Sequence, residues 1–548
     1  MKRRNKIIFL FLLPIVAFGV WSFSNDERYF EMAKNLDIYS TLYSEVNKYY
    51  VDEVNPNTLI NTSIDAMLEK LDPYTVYIPE DDIEDFRTNA TGQYGGIGIL
   101  SNRIGNRHLV LNLYEESPAQ EAGIKIGDEI VKIDGRSVVG MSDEDLGKLI
   151  KGQSGTDVLV GVKRNKGEYL DLQVQRKKIT IPNIAYKTLL PGNIGYFKLT
   201  EFTRTAAEDV ESSVKDLKNQ GAEYIVFDLR GNPGGLLNEA VDICNLFVPK
   251  GSKIVETRGK TEAQSMTYVA EKEPLDLGIP LAVIIDNNSA SASEIVSGVI
   301  QDYDRGVIVG QKSFGKGLVQ VTRPLSYNSQ LKVTTAKYYI PSGRCIQALD
   351  YQHKDINGQA TEIPDSLKEA FFTSSNRIVY DGGGVDPDIK VKKPNKSSYI
   401  ENLAKSGLLF DYATDYYYAH EAISPATEFK LSDQEYEAFA SWVRKKDFEN
   451  KSKIEGAVDL LAQAAEEDKV YAQLTDEISR IDDEIHKLKA NGLTTFKKEI
   501  KHQLELEIIR RYYLNQGVLE ATLSKDPEVI KAMETLNDPD KYRSILHK

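Results

Sequence analysis

Three alternating serines, Ser289, Ser291 and Ser293, follow the apolar run Leu281–Ile285 and precede Glu294-Ile-Val. That order predicts a strand, a tight turn and a helix. A serine at such a turn is placed to act as a nucleophile, because the first helical turn leaves N–H groups unpaired and carries partial positive charge suited to an oxyanion. Ala290 and Ala292 leave room for a substrate carbonyl. The same serines would also serve as helix caps, and periodicity does not choose among the three.

Downstream, Ser313-Phe-Gly-Lys-Gly-Leu-Val-Gln320 sets Lys316 between two glycines. Read as a strand, the segment puts Lys316, Leu318 and Gln320 on one face. A lysine acts as a general base only when neutral, so its pKa must fall from about 10.4 toward ~7–8 by desolvation. Phe314, Leu318 and Val319 supply apolar surroundings, and Gln320 can orient the amine without adding charge. A lone lysine on a strand is more commonly a surface group, so the serine and the lysine gain weight only together.

Two other hydrolytic chemistries lack their residues. Of six histidines, His353 alone lies in the segment around these motifs, and no Gly-Asp-Ser-Gly occurs, which argues against a Ser-His-Asp triad. There is no His-Glu-x-x-His, and Cys244 and Cys345 are the only cysteines. No metal and no cofactor is expected. With 68 basic against 82 acidic residues the net charge is −14, which argues against nucleic acid as a partner.

The elements that must position these motifs alternate in α/β fashion. The pattern predicts strands over 194–199, 224–229, 281–286 and 307–309, and helices over 206–220 and 293–301. The second strand runs into Arg230-Gly-Asn-Pro-Gly-Gly235.

Between about 92 and 176 short β runs and glycine turns take over. Tyr94-Gly-Gly-Ile-Gly-Ile99 leads, and Ala122-Gly-Ile, Gly127-Asp-Glu-Ile and Ile133-Asp-Gly135 follow. This segment resembles a PDZ domain. Gly95, Gly96 and Gly98 would let backbone amides converge on a terminal carboxylate, and Ile97 and Ile99 begin an edge for strand addition.

The remaining segments read as helices and a targeting signal. Basic residues at 2, 3, 4 and 6 precede an apolar run over 7–20, the pattern of a secretory signal or an uncleaved membrane anchor. Apolar residues from Tyr29 to Tyr50 repeat near a 3.6 period, and a second helix is expected to stop at Leu71-Asp-Pro73. Toward the C-terminus, Ser432-x-x-Glu435 is a capping box, Leu474, Ile478, Ile481, Ile485 and Leu488 form a stripe, and Asp526-Pro527 starts another helix.

Together these motifs resemble the C-terminal processing (tail-specific) peptidase family over roughly residues 30–395. The resemblance implies that Ser291, the middle serine of Ser-Ala-Ser-Ala-Ser-Glu, is the nucleophile and that Lys316, 25 residues on, is the base, with Gln320 beside it. It further implies an oxyanion hole from Ala292 and the 230–235 turn, with Gly234 and Gly235 as candidates, and a supporting role for Asp302. The expected fold is multidomain α+β. It comprises a signal or anchor (1–25), a helical N-terminal region (26–90), a PDZ β-domain (91–178), an α/β catalytic core resembling the crotonase/Clp-protease superfamily (179–397) and a helical C-terminal extension (398–548). The expected function is that of an exported serine endopeptidase, periplasmic or membrane-anchored facing the periplasm. Its partners would be polypeptides with free, apolar C-termini held at Tyr94–Ile99, and its C-terminal helices would serve self-association or an adaptor. The competing reading is a catalytically silent scaffold that binds protein C-termini; such a chain should have lost Ser291 or Lys316, and both are present.

Overall fold

The structure, a computed structural model, describes residues 28–548 apart from 166, 357, 393–396, 447 and 449–451. The expected signal or anchor at 1–25 lies outside the described residues. The chain divides into two units, 1–77 and 78–548.

In the first unit a helix covers 28–49 and a second runs Pro56–Glu69. Asn55 caps the second by accepting from the amides of Asn57 (2.9 Å) and Thr58 (3.3 Å), and Pro56 sits where no donor is needed. The helix ends before Pro73, where Asp72 turns the chain by accepting the Tyr74 and Thr75 amides, each at 2.9 Å. The apolar stripe of the first helix is only partly used. Tyr43 and Val46 are half-buried, whereas Tyr29 and Leu36 are exposed.

The second unit begins with the helix Ile83–Thr91 and the PDZ-like sheet. That sheet is antiparallel, in the order Ile99–Ile104, Arg107–Leu113, Glu129–Ile133, Asp157–Arg164, Glu168–Gln175. Val110, Val138, Leu146, Val160 and Val162 form its fully buried core. Ile99–Ile104 is an edge strand, with the helix Asp143–Ile150 beside it.

The α/β region expected over 179–397 is built on a six-stranded sheet. Its order is Ile184–Leu190, Ile194–Leu199, Tyr224–Asp228, Leu281–Ile285, Val307–Gly310, Ile389–Lys390, and every pair after the first is parallel. All five residues of Leu281–Ile285 are buried, as a strand covered on both faces requires. On one face Phe197, Phe227 and Val283 pack against helices Ala206–Asn219, Leu237–Asn245 and Ala292–Asp302. On the other, Tyr196, Val226, Ala282 and Ile284 meet Leu523, Val529, Ala532, Leu536 and Leu546. The end of the C-terminal region therefore forms one outer layer of this sheet. A second, antiparallel sheet holds Leu318–Pro324, Gln330–Tyr339, Lys253–Gly259 and Met266–Val269.

Farther along, helix Asp433–Val443 starts at its capping box, with Glu435 accepting the Ser432 amide at 2.6 Å. The stripe from Leu474 lies on helix Tyr471–Ala490, which pairs with Lys453–Glu467 around Val458, Ile478 and Ile485. Ile481 and Leu488 remain exposed. Among the described residues no helix is long and apolar enough to cross a membrane.

Candidate active site

The turn over 289–293 is held by its own serines and by the 230–235 turn. Ser289 Oγ donates to Leu229 O (2.8 Å), and Ser293 Oγ donates to Asn232 O (3.0 Å). Both are fully buried, so these two hydroxyls are committed to structure. Ser291 differs from them. It stands immediately before the helix Ala292–Asp302 with φ 55° and ψ −113°, a conformation costly for a residue with a Cβ and one that clusters at functional sites.

Asn232 organises the facing loop. Its Nδ2 donates to Leu199 O (3.0 Å), its carbonyl also accepts the Ala290 amide (3.0 Å), and its Oδ1 accepts the Gly234 amide (2.9 Å). Gly234 lies so close to the serine that a Cβ there would come within 2.8 Å of Ser291 Cβ and 2.9 Å of the Ala292 amide nitrogen. A Cβ on Gly235 would meet Phe202 O at 2.4 Å. Of the two glycine candidates, Gly234 already spends its N–H on Asn232 Oδ1.

Ser291, Ala292, Gly234, Gly235, Lys316 and Gln320 all line one cavity of about 580 Å³. Phe86 of helix Ile83–Thr91 contributes to its wall, as do Glu201 and Lys332, whose pKa values burial shifts up and down respectively. Lys316 lies just before the strand Leu318–Pro324, and a bulge falls between Val319 and Gln320. The extra residue is Thr335 on the partner strand Gln330–Tyr339, so the alternation along 316–320 is kept, and Lys316, Leu318 and Gln320 all line the cavity. Gln320 Nε2 donates across the strand pair to Thr334 Oγ1 at 3.2 Å. Asp302 sits at the opposite end of the helix from Ser291, about 16 Å along an ideal helix axis. It is buried against Arg344 (2.9 Å) and accepts the Ser342 amide (2.9 Å), a support rather than a neighbour of the serine.

Two residues that sequence reasoning passed over connect the serine to the lysine. Glu294 is fully buried and accepts four hydrogen bonds: from the amides of Ser291 (2.9 Å), Lys316 (2.8 Å) and Gly315 (2.7 Å), and from the Ser313 hydroxyl (2.5 Å). Burial raises its pKa above the ordinary glutamate value, and these donors oppose the rise. Tyr338 directs its hydroxyl at the carbonyls of Lys316 (2.5 Å) and Ser291 (3.1 Å). The Ser291-x-x-Glu294 spacing is a capping box, so the first was detectable; nothing local marks Tyr338.

At the PDZ-like loop, only Gly98 has a positive φ (79°). Tyr94, Gly95 and Gly96 lie in a strand, Gln93–Gly96, paired with Lys177–Thr180. Gly95 is required for a different reason, since a Cβ there would fall 2.1 Å from Gly152 O. Ile97 is fully buried and Ile99 opens the edge strand. The loop thus has one left-handed glycine, Gly98, and close approaches at all three, since a Cβ on Gly96 would meet Tyr94 Cε2 at 2.6 Å and one on Gly98 would meet Ser117 Cβ at 2.5 Å. Among the described residues no cluster of three or more His, Cys, Asp or Glu side chains is arranged to hold a metal.

Three family descriptions match successive parts of the chain: a PDZ domain over 109–164, peptidase family S41 over 193–355, and the probable PDZ-protease C-terminal helical domain over 399–536. The chain is 34% identical to the carboxy-terminal-processing protease of Bartonella bacilliformis over 342 residues, 62% of this chain and 77% of that one. It is 32% identical to a probable CtpA-like serine protease of Staphylococcus saprophyticus over 376 residues, 67% of this chain and 73% of the other. A solved photosystem II D1 C-terminal processing protease shares 27% identity, with 64% of this chain and 91% of that one covered and a TM-score of 0.35. The protein is a serine-type peptidase that carries a PDZ domain. It belongs to peptidase family S41, among the carboxy-terminal-processing proteases.

Proposed function

We propose that the protein is an exported endopeptidase that holds the free C-terminus of a polypeptide at its PDZ domain and cuts the chain with Ser291 and Lys316. Neutral Lys316 takes the proton from Ser291 Oγ as it attacks the scissile carbonyl. The amides of Gly235 and Ala292 receive the negative charge that develops on oxygen. The protonated amine then passes its proton to the leaving nitrogen, and water releases the acyl group by the same route. Gln320 lines the lysine side of the cavity, and Asp302 steadies the far end of the nucleophile helix.

The observation that carries this reading is the strained Ser291, pressed against Gly234 and facing the cavity that Lys316 also lines. For the tail, the support is the edge strand Ile99–Ile104, open for strand addition, entered through Gly98. Export rests on the charged-then-apolar start of the sequence, with the periplasm or its membrane face as the destination.

The test uses an unstructured polypeptide with an apolar end, free or amidated. Cleavage should vanish in Ser291→Ala, and the free-ended chain should be cut much faster than the amidated one. Activity surviving in Ser291→Ala removes the nucleophile assignment, and equal rates on the two ends remove tail recognition.

A further inference from the structure

We propose that the C-terminal region is a positioning element for the catalytic centre, acting through Asp526 and Glu528 on Arg230 and Gln311. The inference rests on the Ser291–Lys316 reading and adds a role for residues that no catalytic motif contains.

Arg230 opens the turn that ends at Gly234 and Gly235. Its guanidinium is largely buried and is held on both sides. Nε and Nη2 face Asp228, with Nη2 at 2.6 Å, and Nη1 donates to Asp526 (2.7 Å) and Glu528 (2.8 Å). Asp228 belongs to the catalytic sheet and accepts the Tyr196 hydroxyl as well (2.7 Å). The other two carboxylates come from a segment nearly 300 residues later. Asp526 also caps the helix Pro527–Leu536 by accepting the amides of Glu528 (3.0 Å) and Val529 (3.1 Å), which fixes where its carboxylate points.

Glu528 reaches a second loop. Its other oxygen accepts Gln311 Nε2 at 3.0 Å. Gln311 follows the strand Val307–Gly310, is tied by its amide to Ile285 O (3.0 Å), and leads two residues later to Ser313 on Glu294 and then to Lys316. One carboxylate therefore bridges the loop that offers the oxyanion amides and the loop that carries the base. At the far end the first loop is already fixed to the nucleophile turn, with Gly231 N–H on Asp286 (2.9 Å) and Asn232 O on Ala290 and Ser293. Apolar contacts of Val529, Ala532 and Leu536 hold the helix to the sheet without these charges. The carboxylates are thus free to act on geometry: a small displacement of positioned groups is costly to rate.

The experiment measures kcat, KM and thermal melting of the full chain with Asp526→Asn, Glu528→Gln and both together, on an unstructured polypeptide. Asp540→Asn, an exposed charge on the same extension, serves as control. The isosteric changes keep the helix cap's size and a neutral acceptor. Expected is a kcat lowered by about tenfold, KM within about twofold, and a double variant no worse than the sum, since both act on one guanidinium. Wild-type kcat in both single variants, with Ser291→Ala inactive, overturns the clamp and leaves the Ser–Lys reading intact. Activity in Ser291→Ala overturns that reading instead. A loss of kcat that disappears on cooling well below each variant's melting point makes the contact a stability feature only, and also overturns the proposal.

Discussion

Replacing Glu294 by glutamine changes one oxygen of a fully buried carboxylate into an amide nitrogen. The carboxylate satisfies four donors, three of them backbone amides that can never accept in return. If the new NH₂ faced Ser291 and Lys316, two buried amides would lose their acceptor, at about 1–3 kcal/mol each. If it faced Ser313 and Gly315, only the Gly315 amide would be orphaned, because the Ser313 oxygen can accept; it already accepts the Val385 amide at 2.7 Å. The second orientation costs less, so Glu294→Gln should fold with a loss of about 1–3 kcal/mol. If the smaller figure is expressed in the transition state, kcat falls about fivefold. The pH dependence adds a signature. Burial raises the folded pKa, so in the window above the unfolded value of about 4.3 the native state binds more protons than the unfolded chain. That contribution to stability is complete below the unfolded pKa and is lost as pH rises through the folded one. Urea unfolding across this window should show a shallower pH slope in Glu294→Gln than in the wild type. A variant with unchanged midpoint, pH slope and kcat would refute the four-bond account.

Lys316→Arg should be inactive in a cleavage assay, because a guanidinium does not release its proton in this range, whereas measurable turnover would exclude lysine as the base. Gly234→Ala should lose about 10²-fold in kcat by pushing the loop away from Ser291, at a position whose φ of 101° also disfavours a side chain. Its melting temperature reports whether the loss is local. Leu536→Ala, a 1% exposed position against the catalytic sheet, should cost about 2–5 kcal/mol in denaturant unfolding. A near-neutral result there would mean that the last helices do not form the outer layer of the sheet.

The parallel strands and the nucleophile helix were legible because their signals are local: runs such as Leu281–Ile285 have one reading once a helix must follow. The glycine motifs pointed to the right loops but for partly the wrong reason. Gly95 is required by Gly152, nearly 60 residues away, and no local rule contains that contact. Lys316, Leu318 and Gln320 line one cavity, as alternation along their own segment suggests, while the register shift at Thr335 lies on the partner strand, where that alternation says nothing. Most opaque was the C-terminal region. Its helices read correctly as amphipathic, yet periodicity gives an apolar face without its partner, and here the partner is a sheet completed more than 130 residues earlier.

The path of the chain from that region also connects the two ends of the proposed cycle. Phe410 and Leu514 belong to the PDZ core, and Arg107 forks onto Asp411 with its shortest contact at 2.9 Å. Arg511, fully buried, donates to Phe410 O (2.7 Å) and Thr414 Oγ1 (3.1 Å), joining the helix Lys497–Leu523 to Leu408–Ala419. Three residues past its end stands Asp526 on Arg230. The PDZ sheet and the 230–235 loop are therefore both packed against the C-terminal region, and Phe86 of helix Ile83–Thr91 lines the cavity. Coupling between sites is a free energy and is reciprocal. If a bound tail biases Arg230 toward its clamped position, then an occupied oxyanion site must tighten the tail by the same factor. The half-exposed ion pair at Arg107 and the largely buried one at Arg230 are the two places where that bias has a physical handle, because each joins the extension to a different partner through groups whose loss leaves the apolar contacts in place.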